Sequence, residues 1–256
     1  MDPRIALAGF IVGTITGISG IGGSSLLAPV LILLLSVKPT MAVGTDLMYS
    51  VPTKILAAFV HARQQTVDRR LTTALALGGI PGALAGLGVF ALLRAHVATA
   101  LLQQIVRHAI GAAILCACVA MVAMYVLRAR IATQRAVSVR GARSRTVAIG
   151  FVVGGLVAVT SIGSGSVTLP LLLLALPAVA VRRLIGSEIA FAAIVVPVAA
   201  LGHTSFGDVD WRITGSLLAG SLPGVYLGSR LCMKIDERPL RAVIMVILAY
   251  AAYRLL

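Results

Sequence analysis

Charged residues are scarce in this chain. They make up 12% of its 256 residues, against about 25% in a typical soluble domain. Hydrophobic residues make up 59%. A soluble fold of this size could not cover so much apolar surface with so few charges, so the expected solvent is a lipid bilayer.

Other absences narrow the class of protein further. The chain has 3 cysteines, all in apolar segments, which gives no disulfide framework. No cluster of His, Cys and acidic residues has metal-ligand spacing, and no nucleophile–base pair is present. We therefore expect no metal, no cofactor and no enzymatic activity. Aromatic residues reach only 5% and are not interleaved with the basic ones, which excludes a nucleic-acid partner.

Long apolar runs dominate the chain and predict an all-α membrane protein. Most of them have about the 20 residues needed for one crossing. The first and the fifth are too long for one straight span, and glycine and serine interrupt each in its middle. The runs cover residues 5–35, 40–62, 71–93, 105–127, 147–176, 184–203, 212–233 and 240–256.

A basic linker separates two apolar parts of similar length. It spans residues 128–146, carries arginine at several positions and contains no acidic residue. Arginine-rich loops stay on the cytoplasmic side of a membrane. The sequence therefore predicts a first membrane repeat at 1–127, a cytoplasmic linker at 128–146 and a second membrane repeat at 147–256.

The two parts are related by an internal repeat. A shift of 141 positions aligns GFIVGTITGISGIGGSSLLAP with GFVVGGLVAVTSIGSGSVTLP, and a shift of 142 aligns the stretches that follow. Matched Gly, Pro, His, Asp and Arg in one register carry more weight than matched leucines in so apolar a chain. Among the matches are Gly22 with Gly163, Ser25 with Ser166, His61 with His203, and Asp68 with Asp210.

The distribution of basic residues favours inverted halves. If each long run is a broken re-entrant helical hairpin that does not cross, each half keeps about three transmembrane helices. Only six basic residues then lie outside: Arg4, Lys38, Arg94, Arg107, Arg212 and Arg254. The alternative, in which the long runs cross and the halves are parallel, places more basic residues outside and fits the positive-inside rule less well.

The two interruptions predict a binding site for an anion. Irregular backbone at membrane depth is tolerated where it faces protein or a wet cavity. The helix that starts after each break offers unpaired N–H groups and the positive end of its dipole. The candidate substrate-binding residues there are Gly22, Gly23, Ser24 and Ser25 in the first half and Gly163, Gly165 and Ser166 in the second.

Polar residues within apolar runs add further candidates. Asp46 and Glu188 occupy matched positions, and buried acids are candidates for proton relays or gates; both could instead lie in the first turn of a helix. Thr45 and Ser187 precede them and could either cap a helix or offer a hydroxyl to the substrate. Lys54, whose counterpart is Val196, is a candidate counter-charge for the substrate or a partner of Asp46.

A shared loop pattern predicts two helix starts. Asp68 and Asp210 each precede an apolar run, and Asp is a favoured N-cap residue. His61 and His203 stand at matched positions before them. We expect each histidine to tie its loop to the cap rather than to bind a metal.

These repeated motifs resemble the sulfite exporter TauE/SafE family over nearly the whole chain. The resemblance rests on the two glycine-rich runs, on VGTD and IGSE, and on HARQQTVDRRL and GHTSFGDVDWRI. It implies a multi-pass transporter of the cell inner membrane that moves sulfite, thiosulfate or an organosulfonate. Many members have Ser or Asn where this chain has Asp46 and Glu188, which favours proton coupling or a different ligand. No cysteine lies in the broken runs, which argues against a cysteine relay.

The resulting hypothesis is a secondary carrier for a small sulfur-containing anion, working by alternating access between the two hairpins. Protons are candidate coupling ions, and the lipid bilayer is the other partner. An anion channel and a carrier of a carboxylate or other small anion are the alternatives. A scaffold without transport would tolerate leucine at Gly23. Oligomeric state, transport direction and substrate identity stay open at the level of sequence.

Overall fold

The fold is helical throughout the part of the chain that the structure describes. The computed structural model describes residues 3–19, 24–131, 139–231 and 237–256. The helices are α1 (Pro3–Ser19), α2 (Ser24–Leu33), α3 (Pro39–Arg63), α4 (Arg69–His96), α5 (Thr99–Ile131), α6 (Val139–Thr160), α7 (Thr168–Ala175), α8 (Val181–Ser205), α9 (Trp211–Leu231) and α10 (Glu237–Leu255). In the second long apolar run, α6 and α7 are separated at the glycine- and serine-rich segment 161–167. In the first, α1 ends at Ser19 and α2 begins at Ser24, and residues 20–23 lie outside the described part.

Several helices have the length and composition of membrane spans. Four qualify among the described residues: Arg69–His96, Thr99–Ala123, Arg143–Thr160 and Val181–Ser205. Large apolar side chains such as Phe59, Leu92, Leu201 and Tyr253 are exposed on the outside of the fold. An apolar exterior of this kind suits lipid rather than water, so the chain is a membrane protein.

The basic linker is partly helical. α5 continues to Ile131 and α6 begins at Val139, so both ends of 128–146 belong to helices. Arginine has high helix propensity and the linker contains no proline, so nothing in the sequence stops either helix earlier. Residues 132–138 lie outside the described part.

The predicted helix caps are confirmed. The Asp68 carboxylate accepts hydrogen bonds from the N–H groups of Arg70 and Leu71, at 2.9 and 3.2 Å. The Asp210 carboxylate accepts from Arg212 and Ile213 at 2.9 and 3.0 Å. α4 and α9 therefore begin alike, with two of the otherwise unpaired N–H groups of the first turn satisfied.

Glycines bring helices from different halves into backbone contact. Gly9 and Gly13 of α1 lie against Leu217 and Ser221 of α9, so these helices run in the same direction. Gly78 of α4 lies against Val147 of α6, and later glycines follow later residues of α6, so this pair is also parallel. Small residues permit such close packing in membranes.

α3 and α8 pack against each other in opposite directions. Gly44, near the start of α3, lies against Asp208, just beyond the end of α8. Gly186, near the start of α8, lies against Thr66, just beyond the end of α3. Each helix start therefore meets the loop that follows the other helix.

Candidate functional site

The second break is an ordered loop with unusual backbone. Ser161, Gly163 and Gly165 have φ angles of 61°, 128° and 103°, in the left-handed region that glycine adopts without a steric penalty. Thr160 Oγ1 accepts from Ile162 N at 3.2 Å, and Thr168 Oγ1 donates to Gly163 O at 2.8 Å. These bonds fix the loop between the end of α6 and the start of α7.

Buried hydroxyls at both breaks have no hydrogen-bond partner. Ser164 and Ser166 lie in the second break, and Ser25 lies in the first turn of α2; all are at most 4% exposed. A buried polar atom without a partner costs free energy, so such atoms in a native fold call for an explanation. Three such hydroxyls lie at the two segments that the sequence predicts to bind the substrate.

The first break is described less fully. Gly22 and Gly23 lie outside the described residues. Ser24 begins α2, and its side chain also lies outside the description. At this break the structure therefore places only Ser25 among the predicted substrate-binding residues.

Asp46 of the first half contacts the break of the second half. Its carboxylate is fully buried and accepts a hydrogen bond of 2.6 Å from Ser161 Oγ, while its Oδ1 has no partner. The two residues are 115 positions apart in sequence. Asp46 therefore lies beside the predicted binding segment. Sequence analysis predicted the break that contains Ser161 but did not name Ser161 as a candidate.

Lys54 lies within electrostatic range of both buried acids. It is 8% exposed and interacts with Asp46 and with Glu188. Within the described residues, the ion pairs are Arg94 with Asp208 and His203 with Asp208, so Lys54 contacts neither acid directly. Glu188 is 4% exposed, and its Oε1 has no partner.

The hydroxyls of Thr45 and Ser187 accept hydrogen bonds from backbone N–H groups of two loops. Thr45 Oγ1 accepts from Asp210 N at 3.1 Å, and Ser187 Oγ accepts from Asp68 N at 2.9 Å. Each thus fixes the capping loop of the other half. These two predicted ligand donors are engaged with protein. Neither caps its own helix, because α3 begins at Pro39 and α8 at Val181, well before Thr45 and Ser187.

A second polar cluster lies where α4 and α8 end. Arg94 donates to Asp208 at 2.7 Å, and His203 Nδ1 lies 3.8 Å from the same carboxylate oxygen. His203 Nε2 is 2.8 Å from Ala158 O and therefore donates to it. Burial alone would raise the pKa of Asp208, but the neighbouring His203 and Arg94 side chains outweigh it and hold that pKa below its usual value. Sequence analysis did not identify this cluster, because Arg94 lies in a distant segment.

We expect Asp208→Asn to lower the free energy of unfolding by about 1–3 kcal/mol, the usual value of a hydrogen bond to a charged group. Because the folded-state pKa of Asp208 is lowered, its contribution is present above pH ~4 and is lost as the pH falls further. Denaturant unfolding in detergent at several pH values measures this. Thr66→Ala, at the matched position, is the control: it removes hydrogen bonds to His61 but no carboxylate, so its loss should not diminish as the pH falls below ~4. A loss for Asp208→Asn that stays the same at all these pH values would contradict the role of the charge.

Two open grooves lie apart from the breaks. One, of about 690 Å³, runs between α4 and α6 beside Arg143 and Phe151. The other, of about 880 Å³, lies between α1 and α9 beside Trp211 and Arg212. Neither contains Asp46, Lys54 or Glu188, so the buried polar groups rather than these grooves mark the candidate site. No group of three or more metal-ligating side chains occurs among the described residues.

Helical membrane architecture with buried polar groups at two backbone breaks defines the class of polytopic membrane transporters. The family model "Sulfite exporter TauE/SafE" matches residues 5–255, and the chain belongs to this family.

The chain is similar to two named membrane transporter proteins. It is 34% identical over 258 residues to the probable membrane transporter protein YjnA of Bacillus subtilis (strain 168), covering 100% of both proteins. It is 24% identical to the probable membrane transporter protein YdhB of the same organism, covering 98% of this chain and 99% of that protein. No solved structure matches the chain significantly. The protein is therefore a membrane transporter and not an enzyme.

Proposed function

We propose that this transporter is a secondary carrier for a small sulfur-containing anion such as sulfite, thiosulfate or an organosulfonate. The observation that carries the proposal is the set of buried hydroxyls without partners at the two breaks, Ser25, Ser164 and Ser166. Sulfur oxyanions present only acceptor oxygens, so a site for them needs donors. Hydroxyl groups, the first N–H groups of α2 and a nearby cation supply them. The first N–H groups of α7 do not, contrary to the expectation from sequence, because Thr168 N and Leu169 N already donate to Gly163 O and Gly165 O at 3.1 and 3.4 Å.

Lys54 is the proposed counter-charge of the anion. It is buried between two acids and makes no ion pair with either within the described residues, so its ammonium group is available to a ligand. The predicted residues Gly22, Gly23, Ser24, Gly163 and Gly165 complete the proposed lining. Glycines there let the anion approach the backbone closely.

The direction of the helices supports an inverted repeat. α3 and α8 occupy matched places in the two halves and run in opposite directions. α9 starts beside the start of α3, because Asp210 N donates to Thr45 Oγ1. α1 runs parallel to α9 while α6 runs parallel to α4. We therefore propose that 1–127 and 147–256 are inverted repeats, with α1–α2 and α6–α7 as re-entrant hairpins. One repeat would rock against the other to expose the anion to alternate sides.

The orientation follows from the basic residues. The positive-inside rule supports a cytoplasmic linker at 128–146, and the resemblance to the sulfite exporter family implies the cell inner membrane. The name of the matching family, sulfite exporter, supports a sulfur oxyanion as cargo. A carboxylate offers the same acceptor chemistry and is the second candidate; a channel would conduct without saturating with substrate.

Thermal stabilisation by candidate anions tests the proposal. We expect one of sulfite, thiosulfate or sulfoacetate to stabilise the purified protein, since a ligand at a hundred times its Kd adds about 2.7 kcal/mol. Sulfate, taurine and small carboxylates complete the panel. Ser25→Ala combined with Ser166→Ala removes two donors and should weaken binding at least tenfold.

Ser205→Ala is the matched control for this test. Ser205 is exposed, and its hydroxyl donates to Gly202 O of its own helix. Its removal should leave the stabilisation by the anion unchanged. Stabilisation by none of the anions, or equal stabilisation of the Ser25/Ser166 variant and wild type, would refute the proposed site.

A further inference from the structure

Three charged side chains lie in the interior of the helices at the candidate site: Asp46, Lys54 and Glu188. α8, which carries Glu188, packs against α3, α4, α6 and α7. α7 has no titratable residue. Tyr49 of α3, a buried phenol that is neutral in its ordinary form, lies three positions after Asp46. The other titratable residues of α3, α4 and α6 lie near the helix ends. These end residues are Lys38, His61, Arg63, Arg69, Arg70, Arg94, His96, Arg140, Arg143 and Arg145, and α8 itself adds Arg182, Arg183 and His203.

The interior therefore holds two acids against one cation. With all three ionised its net charge is negative, and an arriving anion would add a second negative charge that nothing compensates. Uncompensated charge at membrane depth is costly. One proton taken up with the anion cancels one negative charge that the anion brings.

We infer that Glu188, and not Asp46, takes up this proton; the inference rests on the proposed anion carrier. The two acids occupy matched positions but have different surroundings. Asp46 accepts a 2.6 Å hydrogen bond from Ser161, which stabilises its ionised form. The position matched to Ser161 in the first half is Gly20, which has no hydroxyl.

Each acid has one buried oxygen without a partner, Oδ1 of Asp46 and Oε1 of Glu188. Asp46 has the Ser161 hydrogen bond on its other oxygen, whereas no described residue donates to the Glu188 carboxylate. An ionised carboxylate in that place leaves its charge unsatisfied, and a bound proton removes that cost. The two acids also lie at different depths, because α3 and α8 are antiparallel. Lys54 is eight positions beyond Asp46 on α3, about 12 Å along the axis, which places it toward the level of Glu188.

The proposed cycle moves one proton and breaks no covalent bond. A proton passes from the aqueous phase to the Glu188 carboxylate as the anion binds near Lys54. After the repeats have rocked, the anion leaves and the proton passes to the other aqueous phase. Asp46 stays ionised throughout and balances the charge of Lys54.

Proteoliposomes separate this inference from the proposed function. Isotope-labelled thiosulfate, sulfite and sulfoacetate are tested for exchange without a pH gradient and for uphill accumulation driven by an imposed one. Exchange requires binding and rocking, whereas accumulation also requires net proton movement. We expect wild type to perform both, and Glu188→Gln to retain at least a quarter of the exchange while accumulation falls at least tenfold.

Two variants serve as comparisons. Glu188→Asp keeps a protonatable group and should retain both activities. Asp46→Asn should lower exchange and accumulation together, which leaves their ratio at the wild-type value. Gradient-driven accumulation by Glu188→Gln at the wild-type level would overturn the inference. The inference would also be overturned if Glu188→Gln lost exchange while Glu188→Asp stayed active. Exchange without accumulation by the wild type would overturn it as well. Absence of exchange with every anion would instead refute the carrier itself.

Discussion

Replacing Lys54 with methionine is expected to weaken anion binding by a hundredfold or more. Lys54 is the cation placed between Asp46 and Glu188 in the helix interior. Methionine keeps most of the length and the apolar stem while removing the charge, so two acids would then face the anion. In a poorly solvated site, a lost favourable charge and an unopposed repulsion each cost several kcal/mol.

The measurement is the Kd for the anion that stabilises wild type, with Val196→Ala as control. Val196 is the residue matched to Lys54 and is 2% exposed. Its truncation should lower stability but change the Kd less than threefold. Retention of anion affinity by Lys54→Met would rule out Lys54 as the counter-charge. Hydroxyl and N–H donors alone would then have to bind the anion.

Replacing Gly78 with leucine is expected to prevent recovery of folded protein. A Cβ at position 78 would meet the backbone oxygen of Val147 and the backbone nitrogen of Phe151. Neither atom belongs to a flexible side chain, so the α4–α6 contact would have to open. Adding a methylene group to a packed interior usually destabilises a protein by about 1–3 kcal/mol. An isobutyl group placed at a backbone contact should destabilise this fold by more than that.

Gly88 supplies the matched control on the same helix. A Cβ there meets nothing within 4 Å, so Gly88→Leu should fold normally and gain helix propensity. The yield of monodisperse protein in detergent, compared between the two variants, is the measurement. Similar yields would show that α4 and α6 do not require the backbone contact described for Gly78.

Local features of the fold were predictable because short-range chemistry determines them. Apolar runs of membrane length predicted the helices, and Asp68 and Asp210 predicted where two of them start. Glycine and serine in the middle of two overlong runs gave the breaks, because only glycine adopts the backbone angles found at Gly163 and Gly165 at no steric cost. The helical ends of the linker were not predicted, because its arginines were assigned to a loop.

Contacts between distant segments could not be predicted from local pattern. The Asp46–Ser161 hydrogen bond and the Arg94–Asp208 ion pair join residues 115 and 114 positions apart. Neither Ser161 nor Arg94 stands out beside other serines and arginines until the helices are packed. The hydroxyls of Thr45 and Ser187 were identified as polar groups, but their backbone partners lie in the opposite half.

The exchange of capping contacts has a consequence for the ancestry of the chain. The loop before α4 is held by a hydroxyl from α8, and the loop before α9 is held by a hydroxyl from α3. A gene encoding one half alone would produce a subunit lacking a partner for its own loop. In the inverted arrangement proposed above, two such subunits would supply each other when inserted in opposite orientations. On that proposal, fusion of duplicated copies through an arginine-rich connector would fix the orientation of each half and let matched positions such as Lys54 and Val196 diverge.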